Sequence, residues 1–276
     1  MTSTSMVSSD RPSVSQPSTA KDILQAIERG IRAVEFDLQG INWNQLDLSG
    51  ISLAGANLSG ACLSGANLSG ADLRNTILSN AQLDGTSLQG AYLNRSVLYG
   101  CNLTHANLDG AKLQVARYDR HTVWPDGYAY KKSGAVGPGA NLSGAYLNTA
   151  YLRDADLREA NLRGAYLSGA DLTRANLEGA ALSGANLQYA FLTGANLRDT
   201  RLNGAELQFA DLRATDLTGA NLEHLQSIAG ADFTLARGLG DTTLSILRSH
   251  PRQDLETWNP FTRTNTLVSL AKLSDR

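Results

Sequence analysis

The run from Ala140 to His224 constrains the fold more than any other part of the chain, because it repeats every five residues. Its 85 residues divide into 17 pentads of the form A-x-L-x-x. The third residue is always Leu, and the first is Ala except at Thr200 and Thr215. Five residues advance about 500° around a helix axis, which would scatter the leucines over all of its faces. The repeat therefore excludes a helix and predicts an extended chain.

In extended backbone the Ala and the Leu of each pentad point to the same side. The last two residues of the pentad must then turn the chain. The fifth is often Gly, which reaches positive φ without steric cost, as a type II turn requires. Such a chain winds around a core of Leu and Ala, and its stacked coils pair their backbones like strands. The interior is predicted to be narrow and filled, with the second, fourth and fifth residues facing outward.

Tandem pentads such as ANLSG and ADLRE resemble the pentapeptide-repeat family, including its cyanobacterial members. The resemblance covers roughly residues 31–235. It implies an all-β solenoid, a right-handed quadrilateral β-helix with four pentads to a coil. Tyr146 and Tyr166 recur twenty residues apart, which fits a coil of that size. Many members of the family look like binding or regulatory proteins.

Departures from the repeat predict the organisation of the rest of the chain. A helix is expected after a cap at Ser18 or Thr19, and another after a cap at Asp241. One extra residue after His224 shifts the repeat before a last partial coil. The Ser-rich start has no apolar signal-peptide core, although it is also compatible with a transit peptide. The predicted segments are a disordered tail (1–19), an N-terminal capping helix (20–30), a first β-helix half (31–118), an inserted loop (119–139), a second half (140–235) and a C-terminal cap helix and tail (236–276).

Composition and motifs argue against several classes of function. The net charge of −2 gives no general attraction for nucleic acid, and no apolar segment is long enough to span a membrane. The four histidines are scattered; His121 has Asp119 and Asp126 nearby but no Cys or second His. Cys101 is predicted to face inward and Cys62 outward, with no disulfide framework. We therefore expect a cytoplasmic protein without cofactor or metal, and no enzyme, because a filled coil has no cleft.

A surface function remains, and outward aromatic residues are its best candidates. The alternatives are that exposed apolar residues vary freely on a repeat protein, and that the aromatics of the inserted loop only pack it against the coil. Ile77, Val97 and Tyr99 form a further outward apolar set. The predicted partner-binding residues are Tyr146, Tyr166, Tyr189, Phe209, Tyr151, Phe191, Trp124 and Tyr128.

Two hypotheses for function follow. The first is a non-enzymatic protein–protein interaction scaffold or regulatory module whose partner is another protein. The alternative, implied by family members that bind gyrase, is a DNA mimic acting on a DNA topoisomerase such as gyrase. A mimic needs a strongly negative surface. Residues 140–224 hold ten acids against seven arginines, which favours the first hypothesis. The identity of the partner and the oligomeric state are left open.

Overall fold

Parallel backbone bridges hold each turn of the chain to the next. The computed structural model describes residues 19–273. Within them Asn161 pairs with Ala181, and Ala181 pairs in turn with Arg201, so that one turn takes twenty residues, or four pentads. Each bridge is made by the outward second residue of a pentad. The pentads therefore build a coil whose four ladders run along its length.

The corners between pentads adopt the turn that the glycines predict. The amide of Ala175 donates to the carbonyl of Leu172 at 2.9 Å, and the same bond recurs from pentad to pentad. The fifth residue has positive φ, as at Gly184 with φ of +67°. Non-glycine residues take this conformation too, including Ala214 with φ of 56°. The corner conformation is thus imposed by the coil and not by glycine alone.

The interior of the coil is filled by the Leu and Ala columns. Leu172 and Ala175 are completely buried, and the other third-position leucines of residues 140–224 are at most 3% exposed. Cys101 takes an Ala position, as predicted. Where Thr replaces Ala, its hydroxyl donates to a carbonyl of the coil, as Thr200 does to Leu197 at 2.7 Å. Apolar burial in these columns therefore stabilises the fold.

The N-terminal helix, α1 (Ala20–Glu28), lies against the first coil. The hydroxyl oxygen of Thr19 accepts from the amide of Asp22 at 3.1 Å and caps the helix. Ile27 is buried in the common core, and the indole NH of Trp43 donates to the carbonyl of Ala20 at 3.2 Å. A short 3-10 turn (Ala33–Glu35) leads into the repeats. The wider side chains of the first pentads therefore pack beneath a helix.

The coil continues through much of the insert. Val123 bridges to Asn102 and Val136 bridges to Arg117, so that the chain leaves the coil only over residues 124–135. A 3-10 turn (Tyr130–Lys132) lies in that detour. The second half then begins its own ladders at Asn141. The insert therefore replaces two sides of one coil turn.

After the repeats the chain forms a small α/β segment. It comprises α2 (Asp241–Arg248), α3 (Arg252–Glu256), β1 (Trp258–Asn259), β2 (Thr264–Asn265) and α4 (Thr266–Ala271), with β1 and β2 antiparallel. The prediction that Asp241 caps α2 is wrong. Gly240 holds the cap position and makes no side-chain bond, while Asp241 lies in the first turn, where its charge favours the helix dipole.

The C-terminal segment is hydrogen-bonded to the last coil, in which Ser227 pairs with Glu206 one residue out of the regular spacing. The hydroxyl of Thr266 donates to the carbonyl of Ile228 at 2.8 Å. The side-chain amide of Asn259 donates from Nδ2 to the carbonyl of Gly230 at 2.8 Å. Leu247 and Leu270 are completely buried in the same core as the repeats. The segment therefore covers carbonyls and apolar surface that the last coil would otherwise expose.

Candidate protein-interaction surface

Tyr146 and Tyr166 form a stacked pair on one side of the second half. They bridge to each other, which places their rings one coil apart, with centroids at 4.8 Å and planes 6° from parallel. Tyr146 is 79% exposed and Tyr166 is 44% exposed. Two aromatic rings thus project into solvent as a single flat surface.

Tyr189 and Phe209 form a second stacked pair, at a corner. Both residues have positive φ, and their ring centroids are 5.1 Å apart. Together with Phe191 and Phe261 they line a pocket of about 370 Å³. Phe261 could not be placed here from the sequence, because it lies outside the repeat and its position depends on how the C-terminal segment folds back. Its aromatic character was the one signal present.

Tyr151 lies apart from Phe191, although both belong to one ladder, because Asp171 separates them. Its ring contacts the guanidinium of Arg117, which also lies over the ring of Tyr99. Tyr146 and Tyr151 line a groove together with residues of the first half, among them Ile77 and Val97. The apolar residues Ile77 and Val97 of the first half and the tyrosines of the second half, which are far apart in the sequence, therefore lie together at the junction of the halves.

The aromatics of the insert pack on one another. Trp124 stacks on Tyr130 with centroids 5.2 Å apart, and on Tyr128 at 5.7 Å. The ring of Tyr118 meets Trp124 edge-on, and its hydroxyl donates to the carbonyl of Pro138 at 2.9 Å. Burial raises the pKa of Tyr118. These contacts favour the interpretation that Trp124 and Tyr128 hold the detour against the coil.

Arginine side chains neutralise many of the acids on the outer surface. Ion pairs form between the second and fourth residues of one pentad, and also between residues of adjacent coils. Burial raises the pKa of Asp211, but hydrogen bonds from Arg213 and Thr193 outweigh it and hold the pKa below its usual value. The surface is therefore of mixed charge. The ion pairs include Asp72–Arg74, Asp156–Arg158, Asp211–Arg213, Arg153–Asp171 and Arg174–Asp154.

Residues 19–273 contain no group of three or more His, Cys, Asp or Glu residues placed to hold a metal ion. None of their helices combines the length and the apolar character that crossing a membrane requires.

Comparison with known proteins identifies the repeat. The model of the family described as "Pentapeptide repeats" matches this chain in eight copies, over residues 37–70, 76–114, 140–179, 150–188 and 180–219. These matches cover more than half of the chain. No curated protein matches it.

Three solved structures are similar to this chain. HetL, a pentapeptide repeat protein involved in heterocyst differentiation regulation from the cyanobacterium Nostoc sp. strain PCC 7120, is 30% identical, covering 78% of this chain and 97% of its own, with a TM-score of 0.35. A pentapeptide repeat protein from the Arabidopsis thaliana thylakoid lumen is 29% identical, covering 48% and 87%, with a TM-score of 0.44. QnrB1, a plasmid-mediated fluoroquinolone resistance protein, is 21% identical, covering 74% and 95%, with a TM-score of 0.36.

Proposed function

Because the chain belongs to the pentapeptide repeat family, whose repeats wind into a right-handed β-helix, we propose that it is a non-enzymatic protein-interaction module. It binds another protein through the outer surface of the coil and acts as a scaffold or as a regulator of that partner. The main support for this proposal is the contrast between the buried Leu and Ala of the interior and the stacked aromatic rings exposed on the outside. Leu172 is completely buried, whereas Tyr146 is 79% exposed. Aromatic rings on a rigid surface are typical anchors of protein interfaces.

Two surface variants test this proposal by co-purification of the tagged full chain from its native host. One replaces Tyr146 and Tyr166 with Thr, which suits extended backbone. The other replaces Tyr189 and Phe209 with Asn, which tolerates positive φ. Tyr92→Thr is the matched control, because Tyr92 is 48% exposed on the first half. A partner recovered with wild type and the control but lost with at least one double variant supports the proposal. A full set of co-purifying proteins unchanged by both variants contradicts it.

The alternative of a DNA mimic receives no support from the surface charges. A mimic must present unpaired negative charges in the pattern of a phosphate backbone. Here Asp154 is held by Arg174 at 2.7 Å and Asp171 by Arg153 at 2.9 Å. We therefore expect the chain to leave the supercoiling activity of DNA gyrase unchanged. Inhibition at stoichiometric concentrations would favour the mimic instead.

We further infer that the coil is a quadrilateral β-helix closed at its ends by helices. The support is the twenty-residue spacing of the bridges and the burial of Ile27 from α1 and Leu247 from α2. An open end would expose unpaired backbone and apolar side chains, which favours aggregation. The cytoplasm is the location that we propose for the protein; its free cysteines, Cys62 and Cys101, fit a reducing compartment.

A further inference from the structure

We propose that the groove at the junction of the two halves binds an acidic, apolar segment of a partner protein. This groove, here called the junction groove, has a volume of about 500 Å³. It extends from Asn75 on the first half to Tyr151 on the second. The inference rests on the proposed function and names the site and chemistry of the interaction.

The junction groove exists because the insert interrupts the coil. Over residues 124–135 the chain leaves the regular path, and the ladders of the second half start anew at Asn141. The outward residues Ile77 and Val97, one coil apart, thereby come to share a concave surface with Tyr146 and Tyr151. A concave site is better suited to a partner segment than the flat sides of the coil.

The walls of the junction groove offer a large apolar contact area. Ile77 is 40% exposed, Tyr146 is 79% exposed and Tyr151 is 60% exposed. Val97 and Val115 line the space between them. Burial of such side chains drives association, and tyrosine adds contact area at a low cost in side-chain entropy. An aliphatic or aromatic side chain of the partner would therefore be favoured here.

The charges of the junction groove select the partner. Arg95 and Arg117 line it, and none of its described lining residues is Asp or Glu. Neither arginine forms an ion pair within residues 19–273, whereas the nearby Asp154 is already held by Arg174. Two further acids lie near Tyr99, but Asp156 is paired with Arg158 and Asp119 accepts from the amide of Gly100. The lining of the groove is therefore positive, on a chain whose net charge is −2. Carboxylates of the partner would pair with Arg95 and Arg117.

Arg117 is held ready for such a contact. Its guanidinium carbon lies over two rings, 5.6 Å from the centroid of Tyr99 and 5.8 Å from that of Tyr151. These cation–π contacts use none of its hydrogen-bond donors, so the N–H groups can still donate to a carboxylate. Fixing the group in advance reduces the entropy that binding would otherwise cost.

Single-stranded nucleic acid is the other macromolecule that arginine and tyrosine could bind, by contacts to phosphates and stacking on bases. Two arginines are few for this purpose, since such proteins carry a positive groove that follows the backbone over several nucleotides. The aliphatic wall of Ile77 and Val97 also fits a protein side chain better than a base. The observations therefore favour an acidic protein segment.

Selection from a phage-displayed library of random peptides, with the full chain as bait, tests the proposal. We expect the selected peptides to combine Asp or Glu with Leu, Ile, Phe or Tyr. Replacing the acids of a selected peptide by their amides should weaken its binding about tenfold, as should Arg95→Gln or Arg117→Gln. Arg201→Gln is the matched control, because Arg201 is exposed on the second half, away from the groove. It should bind like wild type.

Loss of binding by a variant must be distinguished from loss of its fold. Arg117 is half-buried, so circular dichroism and the thermal midpoint of each variant are measured, and Tyr146→Ser serves as an additional groove variant at a highly exposed residue. Selected peptides without excess acid, equal loss in Arg201→Gln, or tighter binding of a thymidine oligonucleotide would each overturn the proposal. The co-purification test of the stacked pairs uses different variants at Tyr189 and Phe209, so the general interaction function can survive failure of the groove.

Discussion

At the scale of single residues, the fifth position of each pentad carries the backbone conformation that L-amino acids disfavour. Positive φ costs a residue with a Cβ about 1–2 kcal/mol relative to glycine. The coil nevertheless imposes it on Tyr189, Phe209 and Ala214, among others. Packing of the Leu columns outweighs the local cost. Side chains are therefore kept at these corners at the expense of stability, which is consistent with a role for some of them on the surface.

Ala214→Gly should stabilise the protein. Ala214 is exposed, has φ of 56° and contributes only a methyl group. Relief of the left-handed backbone exceeds the added entropy of the unfolded chain, for a net gain of about 0.5–1 kcal/mol. Chemical denaturation measures it. Gly184→Ala is the reverse control, because its Cβ would meet open space at φ of +67°, and it should lose a similar amount. Destabilisation by Ala214→Gly would show that the corner is not strained.

The two cysteines should differ sharply in reactivity. Cys101 is completely buried, its thiol donates to the carbonyl of Leu78, and burial raises its pKa to about 12. Cys62 lies on the outer surface and is half-buried. Because the thiolate is the reactive form, a thiol reagent should modify Cys62 in the native protein and Cys101 only after unfolding. Cys62→Ser should abolish native labelling; modification of Cys101 at the same rate in that variant would contradict the buried position.

At the scale of elements, the C-terminal segment completes the last coil through a few directed hydrogen bonds. Thr266→Val should therefore destabilise the protein by about 0.5–1.5 kcal/mol, because it removes a buried hydrogen bond and leaves the carbonyl of Ile228 with the amide of Ala231 as its remaining donor. Thr257→Val is the control. Its hydroxyl bonds to Gln253 within the segment, in an exposed position, and its loss should cost little. Denaturation of both variants provides the measurement, and equal effects would argue against docking of the segment on the coil.

The repeat predicted most of the fold because it is a local pattern. The inward Leu, the inward Cys101 and the turn at Gly184 all follow from the five-residue period. The stacked contact of Tyr146 with Tyr166 follows once four pentads make a coil. The junction groove could not be predicted, because it depends on the path of residues 124–135, which have no period. The position of Phe261 was equally hidden, since the fold-back of the C-terminal segment depends on long-range contacts such as that of Asn259 with Gly230.

At the scale of the whole molecule, a ladder of ion pairs and hydrogen bonds on carboxylates makes stability depend on pH. Several aspartates have a pKa below the usual 3.8, such as Asp72, where the hydrogen bond from Arg74 is the largest cause. A carboxyl whose pKa is lower in the folded state stabilises above its unfolded pKa and loses that contribution as the pH falls through the folded value. The aspartates with a lowered pKa include Asp47, Asp72, Asp156, Asp171, Asp211 and Asp216.

We therefore expect the free energy of unfolding to decrease below a pH of about 4, after a smaller decrease that begins near pH 6.5, because burial lowers the pKa of His250. Denaturant titrations at a series of pH values measure this dependence. Asp211→Asn should reduce the acid-sensitive part, because it removes one carboxyl whose folded pKa is lowered. The variant should also be less stable near neutral pH, where Arg213 loses the closer of its two carboxylate partners and keeps Asp232 at 3.9 Å. Stability that rises on acidification below pH 4 would contradict the assignment.

The bridges between successive coils also fix a distance scale on the exterior. The rings of Tyr146 and Tyr166 lie 4.8 Å apart because the backbone ladder spaces them so, and this is the spacing of adjacent strands in any sheet. Within residues 141–221, outward second positions twenty residues apart are therefore in register for direct contact. Substituting Asn186, the next rung of that ladder, with Tyr would lengthen the column of rings by one step. Point substitutions along one ladder should therefore place chosen side chains at regular intervals of one coil on the outer surface.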